Sequence, residues 1–159
     1  MKKILIIEDE ETIRNELKTL LENFGYKVLM LEKFTNAKED IKSMTLDLIL
    51  LDINLPNING EMLLKEIRKE SNIPVIMVTS RVCEVDEVLS MSYGADDYIT
   101  KPYNPTILLL RIQNIFKRME NNRDDLFYDD IVVNPKKGIL EKNGKVLELT
   151  KNEIKSKNI

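Results

Sequence analysis

Short apolar runs alternate five times with longer amphipathic segments over the first 120 residues of the chain. The runs typical of strands lie at 3–7, 26–31, 48–51, 74–78 and 97–100. The segments with helical spacing of apolar residues lie at 12–24, 35–44, 59–70, 84–93 and 105–119. In the segment at 59–70 we expect Met62, Leu63 and Ile67 on the inner face. This alternation predicts an α/β fold with a doubly wound, five-stranded parallel sheet. Because crossover connections are right-handed, few topologies remain, and we predict the flavodoxin-like strand order 2-1-3-4-5.

The residues that follow four of these runs are polar. Glu8 and Asp9 follow the first run, Asp52 the third, Thr79 the fourth and Lys101 the fifth. The carboxyl ends of parallel strands meet at one edge of a sheet, so we expect these side chains to lie together. Each also has an ordinary explanation, since acids stabilise a helix N-terminus, an Asp often starts a turn and lysines are common on surfaces. Their coincidence at matching strand ends favours a functional site.

Carboxylates brought together at this edge repel one another unless a cation compensates them. Oxygen ligands in an open site that keeps some of its water suit Mg²⁺ (or Mn²⁺). We expect Asp9 and Asp52 to be direct ligands, the backbone carbonyl of Asn54 to be a third, and Glu8 to act through water. Lys101 would add a fixed positive charge.

The same side chains are what an aspartate needs in order to accept a phosphoryl group. Asp52 would be the nucleophile, and Lys101 and the Thr79 hydroxyl would help to neutralise the equatorial oxygens. The product carries additional negative charge and new acceptor oxygens. Thr79 can then move toward the phosphoryl group, and Tyr98 can turn into the space that Thr79 leaves. This predicts a two-state switch that is read at a distance from the charge change.

Composition limits the classes of function that are open to this chain of 159 residues. A net charge of -3 gives no overall basic field for nucleic acid. Because histidine is absent, a histidine-based triad, a histidine metal site and a phosphohistidine are excluded in this chain. Cys83 is the single cysteine, so no disulfide forms within the chain. No stretch resembles a signal peptide or a membrane span, and we expect a cytoplasmic protein.

The composition changes after Met119. We predict a first domain at 1–120, a linker at 121–125 and a second segment at 126–159. Short strands are predicted at 126–133, 138–141 and 145–149, and Asn143-Gly144 favours a hairpin between the last two. The fold is therefore a doubly wound sheet followed by a short antiparallel β segment. We expect no helix of groove-reading length in the polar residues 151–159.

Taken together, the motifs resemble those of bacterial two-component response regulators. They are Glu8-Asp9-Glu10, Leu51-Asp52, Leu55-Pro56 with Gly60, Val78-Thr79-Ser80 and the run GADDYITKP at 94–102. That last run is similar to receiver domains of the OmpR/PhoB subfamily, and the resemblance covers residues 1–120. It implies that a partner sensor histidine kinase is the phosphoryl donor. It also implies that Asp52 is the phosphoacceptor, Glu8 and Asp9 the acidic pocket, and Thr79, Tyr98 and Lys101 the switch set.

The resemblance further implies a homodimer that forms after phosphorylation through helix 4, strand 5 and helix 5. Asp96, Asp97 and Arg111 fit the charged pattern of that face. Leu89 and Ile107 do not, because the subfamily usually has a basic residue and a Glu at those places. We predict that one charged pair is replaced by an apolar contact that is less sensitive to salt. The alternative is that Leu89 and Ile107 pack inside their own domain.

Residues 126–150 resemble the opening sheet of the subfamily's winged-helix effector. In the subfamily a recognition helix follows that sheet, whereas the residues after Thr150 are too few to form one. We therefore expect promoter DNA to be a partner only of a form with a complete effector domain. A natural short form, a frameshifted product and a shortened piece of the protein all agree with this pattern.

Two other functions compete with that of a phosphorylation-controlled regulator of transcription. An aspartyl-phosphate phosphatase commonly needs a second acid two residues after the nucleophile, and here that residue is Asn54. We therefore expect a regulator and not an enzyme, with only slow loss of the phosphoryl group from Asp52. The other candidate is an interaction module that keeps the pocket as structure and does not depend on phosphorylation. A magnesium titration with and without a phosphodonor or beryllofluoride distinguishes them.

Overall fold

The computed structural model describes residues 1–124, 131–134, 139–142 and 145–148. Its helices are α1 (Glu11–Asn23), α2 (Ala37–Lys42), α3 (Gly60–Arg68), α4 (Glu84–Ser92) and α5 (Pro105–Asp124). Its strands are β1 (Lys3–Ile7), β2 (Lys27–Met30), β3 (Leu48–Leu51), β4 (Asn54–Leu55), β5 (Ile58–Asn59), β6 (Val75–Thr79), β7 (Asp97–Thr100), β8 (Ile131–Asn134), β9 (Ile139–Lys142) and β10 (Lys145–Glu148).

The main sheet is parallel and has the order β2-β1-β3-β6-β7. Counted along the chain without the short β4 and β5, this is the predicted order 2-1-3-4-5, which is confirmed. All four residues of β3 are buried, because helices cover both faces of the sheet. In register, Ile49 of β3 lies between Leu5 of β1 and Val75 of β6. The central strand therefore ends deep in the fold, directly before Asp52.

Helix α3 shows how closely the apolar pattern predicts the buried face. Leu63, Leu64 and Ile67 are buried, but Met62, which we expected on the inner face, is 53% exposed. The expectation for Met62 was wrong because a helix turns by 100° per residue. The buried face is centred between Leu63 and Ile67, so the residue before Leu63 points outward.

A two-stranded hairpin that the sequence pattern did not predict connects Asp52 to α3. Strand β4 pairs with β5 in antiparallel fashion, and the turn between them is Pro56-Asn57. Asn57 has a positive φ of 71°, a conformation that Asn tolerates better than most residues. The Asn59 side chain then caps α3 by accepting hydrogen bonds from the backbone N–H groups of Glu61 and Met62 at 2.8 and 3.1 Å.

Helix α5 continues to Asp124, so the expected helix end at Met119 was wrong, and residues 121–124 of the predicted linker are helical. Residues 120–124 include neither Gly nor Pro, so nothing in them interrupts the backbone hydrogen bonds of the helix. The structure divides into two compact units, Met1–Arg111 and Ile112–Ile159. This division falls within α5, and the domain boundaries that we place at residues 120 and 126 stay predictions.

The second unit contains a three-stranded antiparallel sheet with the order β10-β9-β8. Lys142 pairs with Lys145, the residues on either side of Asn143-Gly144, so the predicted hairpin and antiparallel segment are confirmed. Residues 126–130 of the first predicted strand and residues 151–159 lie outside the described residues. Among the helices of the described residues, none is both long and apolar enough to cross a bilayer.

Candidate functional site

Two neighbouring strands bring three carboxylates to one edge of the parallel sheet. Ile7 of β1 lies beside Leu51 of β3, so the residues that follow them, Glu8 and Asp52, leave the sheet side by side. Carboxylate oxygens of Glu8, Asp9 and Asp52 all lie within 4.8 Å of one another. Glu8 and Asp52 are buried, whereas Asp9 is exposed. The structure therefore brings together the acidic residues that the sequence places at the ends of β1 and β3.

Lys101 supplies the positive charge of the cluster. Its backbone N–H donates a hydrogen bond to the Thr79 carbonyl at 2.8 Å, which holds the end of β7 against the end of β6. Its Nζ donates to Glu8 Oε1 at 2.6 Å and to Asp52 Oδ2 at 3.0 Å. Burial disfavours the charged ammonium, but hydrogen bonds and attraction from Glu8 and Asp52 outweigh it and raise the pKa of Lys101. The lysine is therefore a fixed cation at neutral pH.

The charge of this cluster suits a divalent cation. Burial raises the pKa of Glu8, although hydrogen bonds from Lys101 and from the Glu10 N–H oppose that change. The carboxylates of Glu8, Asp9 and Asp52 carry three negative charges when ionised, and Lys101 offsets one of them. Oxygen donors with an excess of negative charge, and with Asp9 open to water, fit the ligand preferences of Mg²⁺.

Asn54 and Gly60 shape the loop around Asp52. The backbone N–H of Asn54 donates to Asp52 Oδ1 at 3.2 Å, which orients the carboxylate. The Gly60 N–H donates to the Ile53 carbonyl at 2.8 Å. A Cβ at Gly60 would overlap the backbone carbonyl oxygen of Asp52, so only glycine allows α3 to begin this close to the loop.

Thr79 and Tyr98 both contact the backbone of Arg81. Thr79 is fully buried, and its Oγ1 accepts a hydrogen bond from the Arg81 N–H at 3.3 Å. The Tyr98 hydroxyl donates to the Arg81 carbonyl at 2.8 Å, and the ring is 7% exposed. Burial, with the negative charges of Asp86, Glu61 and Glu87, raises the pKa of Tyr98 to about 12, so the hydroxyl stays a donor.

Comparison with known proteins identifies the family. The family described as "Response regulator receiver domain" matches residues 4–113. The chain belongs to the response regulator receiver family. The predicted family membership and the predicted fold are therefore confirmed, and the predicted loss of the effector's recognition helix stays a prediction.

Individual relatives agree with this assignment of the receiver. The chain is 31% identical over 156 residues to the response regulator protein GraR of Staphylococcus epidermidis, and this match covers 96% of the chain and 70% of GraR. The chain is also 41% identical over 118 residues to the aerobic respiration control protein ArcA of Escherichia coli. That match covers 74% of this chain and 50% of ArcA. A crystal structure of a two-component response regulator from Clostridium difficile superposes with a TM-score of 0.72 at 32% identity, covering 75% of this chain and 98% of that chain.

The predicted dimer residues of the receiver make contacts within the chain. Arg111 donates to Asp97 Oδ1 at 2.8 Å on the surface. Asp96 Oδ2 accepts from the Arg68 guanidinium at 3.1 Å and from the Val75 N–H at 2.9 Å, so this side chain stabilises its own domain. Ile107 is 47% exposed. Leu89 is half-buried.

A groove that sequence reasoning missed lies beside Lys101. Its volume is about 850 Å³. One wall is α1, with Ile13 and Leu20, and the other is the segment after β7, with Pro102 and Tyr103. The helical spacing of α1 predicts apolar residues at these positions but not that the groove between the two walls stays open.

Sequence reasoning also missed Glu61, Arg81 and Asp86. Arg81 Nε donates to Asn54 Oδ1 at 3.0 Å, and its NH1 group donates to Asp86 Oδ2 at 3.2 Å. Glu61 and Asp86 are each 8% exposed. The one feature of the sequence that could have pointed to these contacts is the position of Arg81, two residues after Thr79. Two acids on separate helices carry no pattern that predicts their contact.

Proposed function

We propose that Asp52 accepts a phosphoryl group and that the receiver works as a phosphorylation-controlled switch. The observation that carries this proposal is the position of the Lys101 ammonium, which binds both Glu8 and Asp52 at the strand ends. Asp9 adds a third carboxylate within 4.8 Å of the other two. A buried aspartate with a paired lysine and additional acidic neighbours is suited to phosphoryl transfer, because the reaction needs positioning and charge neutralisation more than acid-base chemistry.

The donor in this proposal is a phosphohistidine of a partner histidine kinase. A carboxylate oxygen of Asp52 attacks phosphorus, the new P–O bond forms and the P–N bond to the imidazole breaks. The imidazole keeps the bonding electron pair and takes a proton from solvent. Lys101 stabilises the charge on the phosphoryl oxygens, and the Asn54 N–H holds Asp52 in place.

The acidic cluster would hold Mg²⁺ (or Mn²⁺). Asp9 and Asp52 would be direct ligands, the Asn54 carbonyl a third, and Glu8 would act through water. When bound, the cation supplies positive charge that offsets the charge on the phosphoryl oxygens. Glu8 keeps its contact with Lys101 and so fixes the lysine beside Asp52.

Thr79 and Tyr98 would transmit the change. The Thr79 hydroxyl accepts from the Arg81 N–H before phosphorylation, and it can donate to a phosphoryl oxygen afterwards. Moving Thr79 frees space beside it, and the Tyr98 ring can turn inward once its hydroxyl leaves the Arg81 carbonyl. The negative charge at Asp52 is thus converted into a change of packing at the start of α4.

The groove beside Lys101 offers a place for the kinase to bind. It runs between α1 and the segment after β7, and its lining includes Ile13, Leu20 and Tyr103. An apolar helix face of the partner that occupies this groove would bring its phosphohistidine to the edge where Asp52 lies. Replacing Leu20 by Glu should slow transfer from the kinase and leave labelling by a small phosphodonor unchanged.

The output that we propose is a homodimer through α4, β7 and α5, which regulates transcription in a form with a complete effector domain. Leu89 and Ile107 would supply an apolar contact, and Asp97 and Arg111 would exchange their pairing within the chain for pairing across the dimer. The match of this chain covers 70% of the length of GraR and 50% of the length of ArcA.

A magnesium titration separates this function from its alternatives. We expect beryllofluoride, a phosphoryl mimic, to bind only when Mg²⁺ is present and to produce dimers in sedimentation analysis. Asp52→Asn should abolish the response. Rapid turnover of many phosphates would instead indicate a phosphatase, and a chain that responds to neither reagent would be an interaction module that does not depend on phosphorylation.

A further inference from the structure

A second polar cluster lies where α3 faces α4, beside the proposed phosphoryl site. Glu61 is in the first turn of α3, and its Oε2 accepts a hydrogen bond from Ser90 Oγ of α4 at 3.4 Å. Ser90 is fully buried, and Glu61 and Asp86 are each 8% exposed. Asp86 also lies within hydrogen-bonding contact of Glu61. The repulsion between two buried carboxylates this close together costs free energy unless a cation offsets it.

Arg81 is the cation of this cluster, and it also contacts the phosphoryl site. Its NH1 group binds Asp86 at 3.2 Å, and its Nε binds the Asn54 side chain at 3.0 Å. Its backbone N–H and carbonyl bind Thr79 and Tyr98. One residue therefore connects the loop after Asp52, both proposed switch residues and the first turn of α4.

The protonation of Glu61 depends on where Arg81 lies. Burial raises the pKa of Glu61, and the charge of Asp86 and its hydrogen bond raise it further. The Arg81 guanidinium opposes both effects. The other titratable groups beside this cluster are Glu87 of α4 and Tyr98 of β7. The negative charges of Asp86, Glu61 and Glu87 act on the Tyr98 hydroxyl, which stays uncharged.

We propose that the side-chain hydrogen bonds of Arg81 to Asp86 and Asn54 act as a latch that holds α4 to the loop after Asp52. Phosphorylation breaks the contact with Asp86, and Glu61 then takes up a proton from solvent. The proposal rests on the function proposed for Asp52. When Thr79 turns toward the phosphoryl group, the Arg81 N–H loses its acceptor, and the turning Tyr98 ring releases the Arg81 carbonyl. With its backbone free, Arg81 withdraws its guanidinium from Asp86, and the neutral form of Glu61 becomes the favoured one.

A proton taken up on activation makes activation depend on pH. By linkage, whatever binds together with a proton binds more tightly as the pH falls. Uptake of one full proton would strengthen beryllofluoride binding by about tenfold for each unit that the pH is lowered. Arg81 is thus a positioning residue, and the protonation of Glu61 depends on whether the Arg81 guanidinium contacts Asp86.

Calorimetric titration measures this proton uptake directly. The full chain with Mg²⁺ is titrated with beryllofluoride in two buffers of different ionisation enthalpy, and the difference in heat gives the number of protons bound. Glu61→Gln keeps the size of the side chain and an acceptor for Ser90 but cannot titrate. The matched control is Glu66→Gln on the same helix, a residue that pairs with Lys38 and Lys69 on the surface.

The expected result is a clear loss of proton uptake in Glu61→Gln and unchanged uptake in Glu66→Gln. Equal uptake in wild type and Glu61→Gln would overturn the latch and leave the function of Asp52 intact. Wild type that does not bind beryllofluoride at all would overturn the proposed function as well.

A measurement on the unaltered chain covers the case in which Glu61→Gln fails to fold. The side-chain carboxyl carbon of Glu61 is followed by NMR as the pH is varied, with Mg²⁺ alone and with Mg²⁺ and beryllofluoride. We expect the midpoint to move to higher pH when beryllofluoride is bound. A midpoint that does not move, or that moves to lower pH, would overturn the latch.

Discussion

At the scale of single residues, Gly60 has no room for a side chain. A methyl group there would overlap the Asp52 carbonyl, so we expect Gly60→Ala to lower the free energy of unfolding by about 2–4 kcal/mol. Gly25→Ala is the matched control. Gly25 has a φ of 92° with nothing within 4 Å of its missing Cβ, and only the backbone strain of about 1 kcal/mol should appear. Urea unfolding measures both, and equal losses in the two variants would contradict the close approach at Gly60.

Also at the scale of residues, the raised pKa of Glu8 predicts that the free energy of unfolding depends on pH. Its pKa is raised in the folded protein, chiefly by burial, so its contribution favours folding below its ordinary pKa of 4.5 and is lost as the pH rises through the raised value. Without Mg²⁺, the stability of wild type relative to Glu8→Gln should therefore fall as the pH rises from 4.5. Urea unfolding of the two proteins at several pH values measures the difference. A difference that grows in favour of wild type would contradict the direction of this shift.

At the scale of elements, the face made by α4, β7 and α5 carries the predicted dimer. If Ile107 contributes an apolar contact, Ile107→Lys should weaken the beryllofluoride-induced dimer by tenfold or more, about 1.4 kcal/mol. Met62→Lys is the control, because Met62 is similarly exposed, at 53% against 47% for Ile107, but lies on α3. Sedimentation analysis at low and high salt measures both. A dimer that dissociates when salt is raised would contradict an apolar contact.

The elements also show where sequence reasoning stops. Strand β3 was predictable because Leu48–Leu51 is an uninterrupted apolar run, which is typical of a strand buried on both faces. The hairpin of β4 and β5 was not, because two-residue strands carry no periodicity. The end of α5 was misplaced because a polar segment can remain helical when it contains no Gly or Pro.

At the scale of the whole molecule, the topology determines how much of the site the sequence reveals. Parallel strands end at one edge, so Glu8, Asp52 and Lys101 could be placed together before any coordinate was known. The contact between Glu61 and Asp86 could not, because it joins two helices whose relative packing is set by side-chain shape. The residues fixed by strand register were therefore predictable, and those fixed by helix packing were not.

The most direct test of the central claim is mass spectrometry of the chain after incubation with Mg²⁺ and acetyl phosphate, a small phosphodonor. We predict one phosphoryl group per chain on the peptide that contains Asp52, with labelling lost when Mg²⁺ is chelated. Asp52→Asn should remove the label, and Asp47→Asn, which changes an acid before the same strand, should keep it. A label that persists in Asp52→Asn, or that is found on another residue of wild type, would contradict the account.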